Sequence, residues 1–344
     1  MDLLTATLHL NFVETNAPAL RGLASKVAFK EFSEQYGNFR NAMSTFLENN
    51  CLNEAFRFGT ALVPFWMGTK RLDEGLAFLE TMLAVPGGDD ALRGRVCFDV
   101  GYLKFWKGDY EQAAKFHQEA IRLGRQAHNS TVVAIALTGL ARIALGTDLG
   151  EAYRLCLEAL DVASGAADPL GSSHAIHVLG VVAQMSGNFQ GARELMRRRI
   201  ALARKAGNFV GVSSELGNLS MVERQLGNLD EAEALAIESL EIDVKRGDEL
   251  AIPWKVNGLL SVAVDRGEYE HAATLLGIAD TTMRISGGDW PPDELVHYKH
   301  AVSILQQEMS PIQFEEIRAR GSQMSFAEAI DYALSRTPSK LVSI

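Results

Sequence analysis

Cysteine, proline and basic residues are scarce in this 344-residue sequence. The three cysteines (Cys51, Cys97 and Cys156) are odd in number and widely spaced within apolar stretches, which argues against a disulfide framework and favours buried thiols in a reducing cytoplasm. The nine prolines cluster outside the proposed helices, as is typical of a helix-rich chain. The net charge of −10 argues against direct nucleic-acid binding, because phosphate contacts depend on Lys and Arg.

Motifs of enzymes, metal sites and membrane segments are also missing. No G-x-S-x-G, H-E-x-x-H, Cys-x-x-Cys or G-x-x-x-x-G-K-[ST] motif occurs, so we predict neither catalysis nor a cofactor. The pairs His174/His177 and His297/His300 lack a third ligand by spacing, so no metal is predicted. The longest apolar run, from residue 132 to 145, is shorter than the ~20 residues of a membrane span, and the start does not resemble a signal peptide. We therefore expect a soluble, cytoplasmic protein with no membrane partner.

The sequence is organised around a repeated helical hairpin. In residues 211–246, two segments with apolar stripes flank the turn Gly227-Asn228-Leu229-Asp230-Glu231-Ala232, where glycine ends one helix and asparagine can cap the next. Similar turns begin at Gly108, Gly187 and Gly267, and a slipped version begins at Thr147. The alanine that closes each turn recurs after 39, 40, 40 and 40 residues, at Ala113, Ala152, Ala192, Ala232 and Ala272.

A second series of residues has the same period. An Asp or Asn marks the start of each hairpin at intervals of 40, 39, 40, 40 and 41 residues, at Asp89, Asn129, Asp168, Asn208, Asp248 and Asp289. One hairpin cannot bury both of its apolar stripes, so this period predicts hairpins that stack on one another. We predict an all-α fold: an α-solenoid, forming a right-handed superhelix of about eight helix pairs with a helical C-terminal cap, as one continuous domain.

The turns resemble the tetratricopeptide repeat. That pattern has a small residue seven positions before the turn glycine (here Gly101, Gly180 or Ser220), an aromatic or leucine two after it, and an alanine five after it. The unit departs from the family in being about six residues longer than the usual 34, in placing Leu260 at the small position of the last repeat, and in lacking a closing proline. The resemblance implies a tetratricopeptide-like superhelix with longer helices.

The array has predicted boundaries. Residues 1–33 form N-terminal helices, broken at Pro18, whose packing the sequence does not specify. Residues 34–290 form the repeat array, residues 291–336 form a helical cap with a capping box at Ser325-Phe326-Ala327-Glu328, and residues 337–344 form a frayed tail.

A second resemblance concerns the two ends of the array. They are similar to the C-terminal helical-repeat arm of bacterial LuxR-type and antibiotic-regulator-type signal-transduction ATPases that regulate transcription. The residues that carry this likeness are 34–42, Phe65-Trp66, 71–75, 272–277, Arg320-Gly321 and 325–330. The resemblance implies a sensor arm, which in that family accompanies a nucleotide-binding module and a DNA-binding module. Neither module is found in this sequence, so the chain is either an excised arm or a free-standing relative.

The candidate site is the concave wall. The first helix of each hairpin is expected to line it, with inward positions about six, nine and thirteen residues after the Asp or Asn marker, and further residues one turn later. Guanidinium, imidazole and indole groups along such a wall can hold an extended peptide or a small anionic ligand through bidentate hydrogen bonds and stacking. The predicted groove residues are Arg95, Tyr102, Trp106, Thr138, Arg142, His174, His177, Gln184, Arg224, Trp254 and Asn257.

These features together predict a non-catalytic sensor or protein-interaction arm of a transcriptional-regulatory signalling system. Its partner would be a protein or a peptide, with a small-molecule effector and a homo-oligomer left open by the sequence. The alternative is a free-standing peptide-binding adaptor or scaffold, and a third possibility is a regulator that docks on a phosphatase or kinase.

Overall fold

The computed structural model describes residues 1–166, 168–286, 290 and 292–335, and it confirms the all-α prediction. These residues form seventeen α-helices and one 3₁₀-helix, and no strand occurs among them. The helices stack as hairpins, as expected of an α-solenoid. They fall into two compact units, of which unit 1 is Met1–Asn208 and unit 2 begins at Phe209.

Unit 1 begins with helices that do not follow the 40-residue period. The helices are α1 (Leu3–Asn16), η1 (Ala17–Arg21, a 3₁₀-helix), α2 (Ser25–Glu48), α3 (Leu52–Gly68) and α4 (Leu72–Ala84). The break predicted at Pro18 falls where α1 gives way to η1, and α3 continues through Pro64. The first 33 residues pack onto an aromatic core, because α1 and η1 bury Ala6, Leu10, Val13, Ala17 and Leu20 against phenylalanines of α2 and α3.

Three regular hairpins complete unit 1. They are formed by α5 (Asp90–Trp106) with α6 (Tyr110–Gln126), α7 (Ser130–Ala144) with α8 (Leu149–Gly165), and α9 (Pro169–Met185) with α10 (Phe189–Lys205). The Asp and Asn markers cap the first helices, since Asp89, Asn129 and Asp168 accept hydrogen bonds from the N–H groups of Leu92, Val132 and Gly171. Helix capping therefore explains these three members of the marker series, whereas α13 begins after Ala251, three residues beyond Asp248, and has no side-chain cap.

Unit 2 contains two further hairpins and the cap. The hairpins are α11 (Phe209–Gln225) with α12 (Leu229–Arg246), and α13 (Ile252–Asp265) with α14 (Tyr269–Ser286). The cap consists of α15 (Pro292–Glu308), α16 (Pro311–Gln323) and α17 (Phe326–Leu334), and the predicted capping box between Ser325 and Glu328 is present. Asp289 and the predicted tail, residues 337–344, lie outside the described residues.

Close packing between the two helices of a hairpin explains the series of alanines. The closing alanines at 113, 152, 192, 232 and 272 are all completely buried. The small residue of the preceding helix lies against them. Ser220 donates a hydrogen bond of 2.7 Å to the carbonyl oxygen of Ala232. A β-carbon on Gly101 would lie 3.1 Å from the carbonyl oxygen of Ala113. Close approach of the two helices thus requires small side chains on both.

Two glycines make the closest helix contact of the cap. A β-carbon on Gly277 of α14 would overlap the carbonyl oxygen of Arg318, and one on Gly321 of α16 would overlap that of Thr274. Both glycines belong to the terminal motifs that the sequence analysis singled out. Their role is to let two helix backbones touch without side chains between them.

Candidate functional site

The predicted wall in unit 1 consists of the first helices of its hairpins. Helix α7 packs against both α5 and α9, whereas the contacts among α6, α8 and α10 are much weaker. Helices α5, α7 and α9 are therefore the more closely spaced layer of this unit, and we call them the inner layer. Its helices bear eight of the eleven predicted site residues.

Helix α5 presents a ladder of rings and one guanidinium group. Phe98 stacks on Tyr102 with ring centroids 6.1 Å apart, and Tyr102 meets Trp106 edge to face at 6.2 Å. The guanidinium group of Arg95 lies over the Phe98 ring at 5.5 Å. Tyr102 is half-buried and Trp106 is 50% exposed, so this face of the helix ends in an accessible pair of rings.

A buried carboxylate lies beside this ladder. Asp99 is 1% exposed, and it accepts hydrogen bonds of 3.1 and 3.2 Å from Nε of Arg95. Burial raises the pKa of Asp99, while Arg95, the Thr60 hydroxyl and the more distant Arg21 oppose the rise. Arg95 is therefore held in place by its pairing with Asp99.

Arg21 of η1 acts on this site, and the repeat pattern did not predict it. Its side chain is solvent-accessible, yet the surrounding protein lowers the pKa of the guanidinium group, and the nearby charge of Arg95 lowers it further. Asp99 and Tyr102 act in the opposite direction. Arg21 is thus a solvent-accessible group that interacts electrostatically with residues of the α5 ladder.

Helix α9 brings His174 to the same place. Its ring centroid is 6.4 Å from that of Phe98. The pKa of His174 is lowered well below its usual value, first by burial and then by the charges of Arg142, Arg199, Arg21 and Arg95. The imidazole is therefore neutral at pH 7, and it is surrounded by guanidinium groups.

The remaining predicted residues of unit 1 are placed differently. His177 and Gln184 are half-buried on α9, one turn and almost three turns after His174. Thr138 was expected to line the groove, but it is 3% exposed and its hydroxyl donates to the carbonyl oxygen of Ala134 at 2.6 Å. That prediction is corrected: Thr138 packs between helices and bonds its own helix.

His117 of α6 is a site neighbour that the sequence analysis missed. Its ring is 1% exposed and 5.5 Å from Phe98, and it fills the space left by Gly101 and Gly139, where a β-carbon would collide with it. Burial, and secondarily the charge of Arg142, lowers the pKa of His117 to about 3. A histidine opposite two glycines is the sequence signal that could have identified it.

The three predicted residues of unit 2 do not form a similar face. Arg224 is tied to Asp265 at 3.3 Å and to Nδ1 of His297 at 3.4 Å. Trp254 is 38% exposed, whereas Asn257 is 1% exposed and so inaccessible to a ligand, which corrects its assignment to the groove.

Unit 2 also contains a buried polar network around Asp243. The carboxylate accepts a hydrogen bond of 2.5 Å from the Ser213 hydroxyl, and it lies 3.8 Å from both the Lys255 ammonium and the Arg246 guanidinium. Burial raises the pKa of Asp243, and Lys255 and Ser213 oppose that rise. Each charge in this network has a protein partner.

Two open clefts lie elsewhere. One of about 640 Å³ in unit 2 is lined by residues of α14, α16 and α17, among them His271, Arg320 and Tyr332. The other, of about 460 Å³, lies between α6, α7 and α8. None of the predicted site residues lines either cleft. Within the described part of the chain, no three His, Cys, Asp or Glu side chains are grouped to hold a metal ion.

No helix in the described ranges has the length and apolar character needed to cross a membrane.

Comparison with known proteins identifies the repeat. The tetratricopeptide repeat model matches residues 216–242, which cover most of α11 and α12. No curated protein sequence matches the chain.

Solved structures share the fold at low sequence identity. One is a Signal Transduction ATPase with Numerous Domains protein with a tetratricopeptide repeat sensor from Pyrococcus horikoshii, with a TM-score of 0.58 and 10% identity. The match covers 92% of this chain but only 46% of that one, so the chain spans less than half of that relative. A second is a Rap protein complexed with Competence and Sporulation Factor, with a TM-score of 0.54, 11% identity, and coverage of 98% of this chain and 100% of that one. At these identities, the likeness shows the fold alone.

Proposed function

We propose that the chain is a non-catalytic sensor and protein-interaction arm whose recognition surface is the inner layer of unit 1. The observation that carries this proposal is the accessible Tyr102–Trp106 ring pair on α5, which continues into a cluster of guanidinium and imidazole groups. Rings combined with guanidinium groups are typical of protein-recognition surfaces. Tetratricopeptide repeats commonly serve as such surfaces.

The system in which the arm acts is a transcriptional-regulatory one, and the arm acts in the cytoplasm. Two observations support this part of the proposal: the terminal motifs that resemble LuxR-type regulators, and the structural likeness to a signal-transduction ATPase that carries a tetratricopeptide repeat sensor. The free thiols of Cys51, Cys97 and Cys156 agree with a reducing compartment. A ligand would act by selecting one arrangement of the unit 1 hairpins and passing this preference to an output module.

A free-standing adaptor is the second candidate. It is favoured by the Rap protein, which matches this chain over its entire length and was solved with Competence and Sporulation Factor bound. The partner of a free-standing adaptor would likewise be a peptide or a protein. The native gene discriminates between the two candidates, because a P-loop and a DNA-binding module encoded in frame or beside it would favour the sensor arm.

Affinity purification tests the recognition surface. The full chain and a variant with Tyr102→Ala and Trp106→Ala are purified from the source cell, and bound proteins and small molecules are identified by mass spectrometry. We expect the variant to lose the partner that the wild type retains, since both accessible rings are removed.

The matched control is Tyr153→Ala. Tyr153 is 51% exposed in unit 1 but lies on α8, outside the inner layer, so this variant should retain the partner. A double change of Arg142 and His177 to alanine should also abolish binding with little loss of helicity. Equal retention of partner by all variants would contradict the proposed surface.

A further inference from the structure

The surroundings of His174 in unit 1 are basic in a protein that is acidic overall. The chain carries a net charge of −10, yet the charges that act on His174 are those of four arginines, at positions 21, 95, 142 and 199. They come from four separate elements: η1, α5, α7 and α10. Asp99 is paired with Arg95, and its charge also acts on Arg21. The four charges that act on His174 are all positive.

Pairing is distributed unevenly among these arginines. Arg95 takes Asp99, with both carboxylate oxygens within 3.2 Å of its Nε. Arg21 and Arg142 form neither an ion pair nor a hydrogen bond with any described side chain. Other sheltered arginines in this structure have carboxylate partners, as Arg224 has in Asp265 and Arg318 has in Asp280. A solvent-accessible guanidinium group that has no carboxylate partner in the protein is free to pair with an anion from solution.

His174 adds a polar group that is also unused. Its ring takes part in no hydrogen bond with the described residues. A neutral imidazole has one N–H to donate, and it adds no charge of its own. The site thus offers two guanidinium groups whose charges act on His174, and the neutral imidazole adds one donor.

The shape of the donors indicates the ligand group. Planar guanidinium groups match the paired oxygens of a carboxylate or a phosphate. The Tyr102–Trp106 rings are beside them, because Tyr102 is coupled to Arg21 and contacts Trp106. We propose that Arg21, Arg142 and His174 form an anion-binding subsite for a carboxylate or phosphate group of the ligand, with the adjoining apolar part on Tyr102 and Trp106. This inference rests on the proposed recognition surface and names the class of ligand that it takes.

Calorimetric titration of the full chain tests the subsite with three probes. They are inorganic phosphate, phenyl phosphate and phenylacetate. We expect phosphate to bind weakly and one of the aromatic probes to bind more tightly, since the ring adds stacking to the anion contact. If phenyl phosphate binds more tightly than phenylacetate, the subsite prefers a phosphate group; the reverse order indicates a carboxylate. Failure of all three probes to bind at millimolar concentration would overturn the proposal.

The Arg21→Gln and Arg142→Gln variants locate the binding. Each should weaken the affinity about tenfold or more, because a charge-assisted pair is lost. Arg154→Gln is the matched control: it removes an exposed arginine of α8 that pairs with Glu151 at 2.7 Å, and it should leave the affinity unchanged. If Arg154→Gln weakened the affinity for the probe equally, the effect would come from the overall charge of the protein, and the proposed subsite would be wrong. Circular dichroism establishes that the variants are folded.

Nuclear magnetic resonance of His174 provides a second measurement that does not depend on affinity. Phosphate should raise the pKa of His174, because an anion offsets the field of the surrounding arginines. The signal is assigned by its loss in His174→Gln. An unchanged His174 signal in the presence of bound probe would place the anion elsewhere.

The two proposals fail separately. If the Tyr102/Trp106 variant loses its cellular partner while the Arg21→Gln/Arg142→Gln variant retains it, the recognition surface stands and the anion subsite falls. If both variants retain the partner, the recognition surface itself is wrong.

Discussion

The two units differ in whether their charged side chains are paired within the protein. In unit 2, the carboxylate of Asp243 is shared by Ser213, Lys255 and Arg246, so the charges compensate each other inside the protein. In unit 1, Asp99 satisfies Arg95 alone, and Arg21 and Arg142 are left without an internal acid. Charged groups that are paired within the protein do not need a ligand to neutralise them. Accessible charged groups without a protein partner are suited to bind a ligand of opposite charge.

The largest expected effect comes from breaking the compensated cluster. Asp243→Ala would leave the sheltered Lys255 without its carboxylate partner and Arg246 with Asp248 alone, and it should lower the free energy of unfolding by about 3–5 kcal/mol. Urea denaturation of the full chain, followed by circular dichroism, measures this change.

Glu241→Ala is the control for this substitution. Glu241 is on the same helix, but it is exposed and pairs with Lys245 at 3.7 Å, so its loss should change the free energy of unfolding by less than about 1 kcal/mol. Similar results for the two variants would contradict the structural role of the Asp243 network.

The second-largest expected effect is the pH dependence of the free energy of unfolding that the buried His117 of unit 1 causes. The folded-state pKa of His117 is about 3 and the unfolded value is near 6.5, so below pH 6.5 the unfolded chain takes up a proton that the folded chain refuses. The stabilisation is full above pH 6.5 and is lost as the pH falls towards 3, with a slope approaching about 1.4 kcal/mol per pH unit.

His117→Gln isolates this contribution. The free energy of unfolding of both proteins is measured by urea titration between pH 7 and pH 5, and the wild type should lose stability more steeply as the pH falls. His174 is common to both proteins, so its own effect cancels. Parallel curves would show that His117 has the same pKa in the folded and unfolded states, which contradicts the burial effect.

The smallest expected effect is that of removing an uncompensated arginine. Arg142→Gln takes away a positive charge with no acidic partner, so the free energy of unfolding should change by no more than about 0.5 kcal/mol. Arg95→Gln, on the same layer, strands the buried Asp99 and should cost about 1–3 kcal/mol. If Arg142→Gln proved the more damaging of the two, Arg142 would be a structural residue.

The sequence predicted the fold well because its two periods report local physics. Helix capping accounts for Asp89, Asn129 and Asp168 of the Asp and Asn series, and tight helix contact accounts for the alanine series. Both causes act within one hairpin, so they are visible without any knowledge of tertiary structure.

The site was predicted only in part, for geometric reasons. Positions six and thirteen after each marker are seven residues apart and differ by about 20° around a helix, whereas position nine is rotated by about 60°. Phe98, Thr138 and Asn257 at position nine are buried, but so is Ile135 at position six, and His177 at position nine is only half-buried, so the count alone does not decide exposure. Arg21 could not have been found by counting, because it belongs to a segment outside the period.

The contact between Gly277 and Gly321 has a consequence for how such a chain can change length. One period earlier than Gly277 stands Ile237, and another period earlier stands Arg197. Side chains of that size would prevent the backbone of α16 from approaching those positions of α12 and α10 as closely as it approaches α14. Whole hairpins can therefore be gained or lost before α14 without changing this contact. Helix α14 has to remain the last helix of the array, because its Gly277 lets the backbone of α16 pack against it.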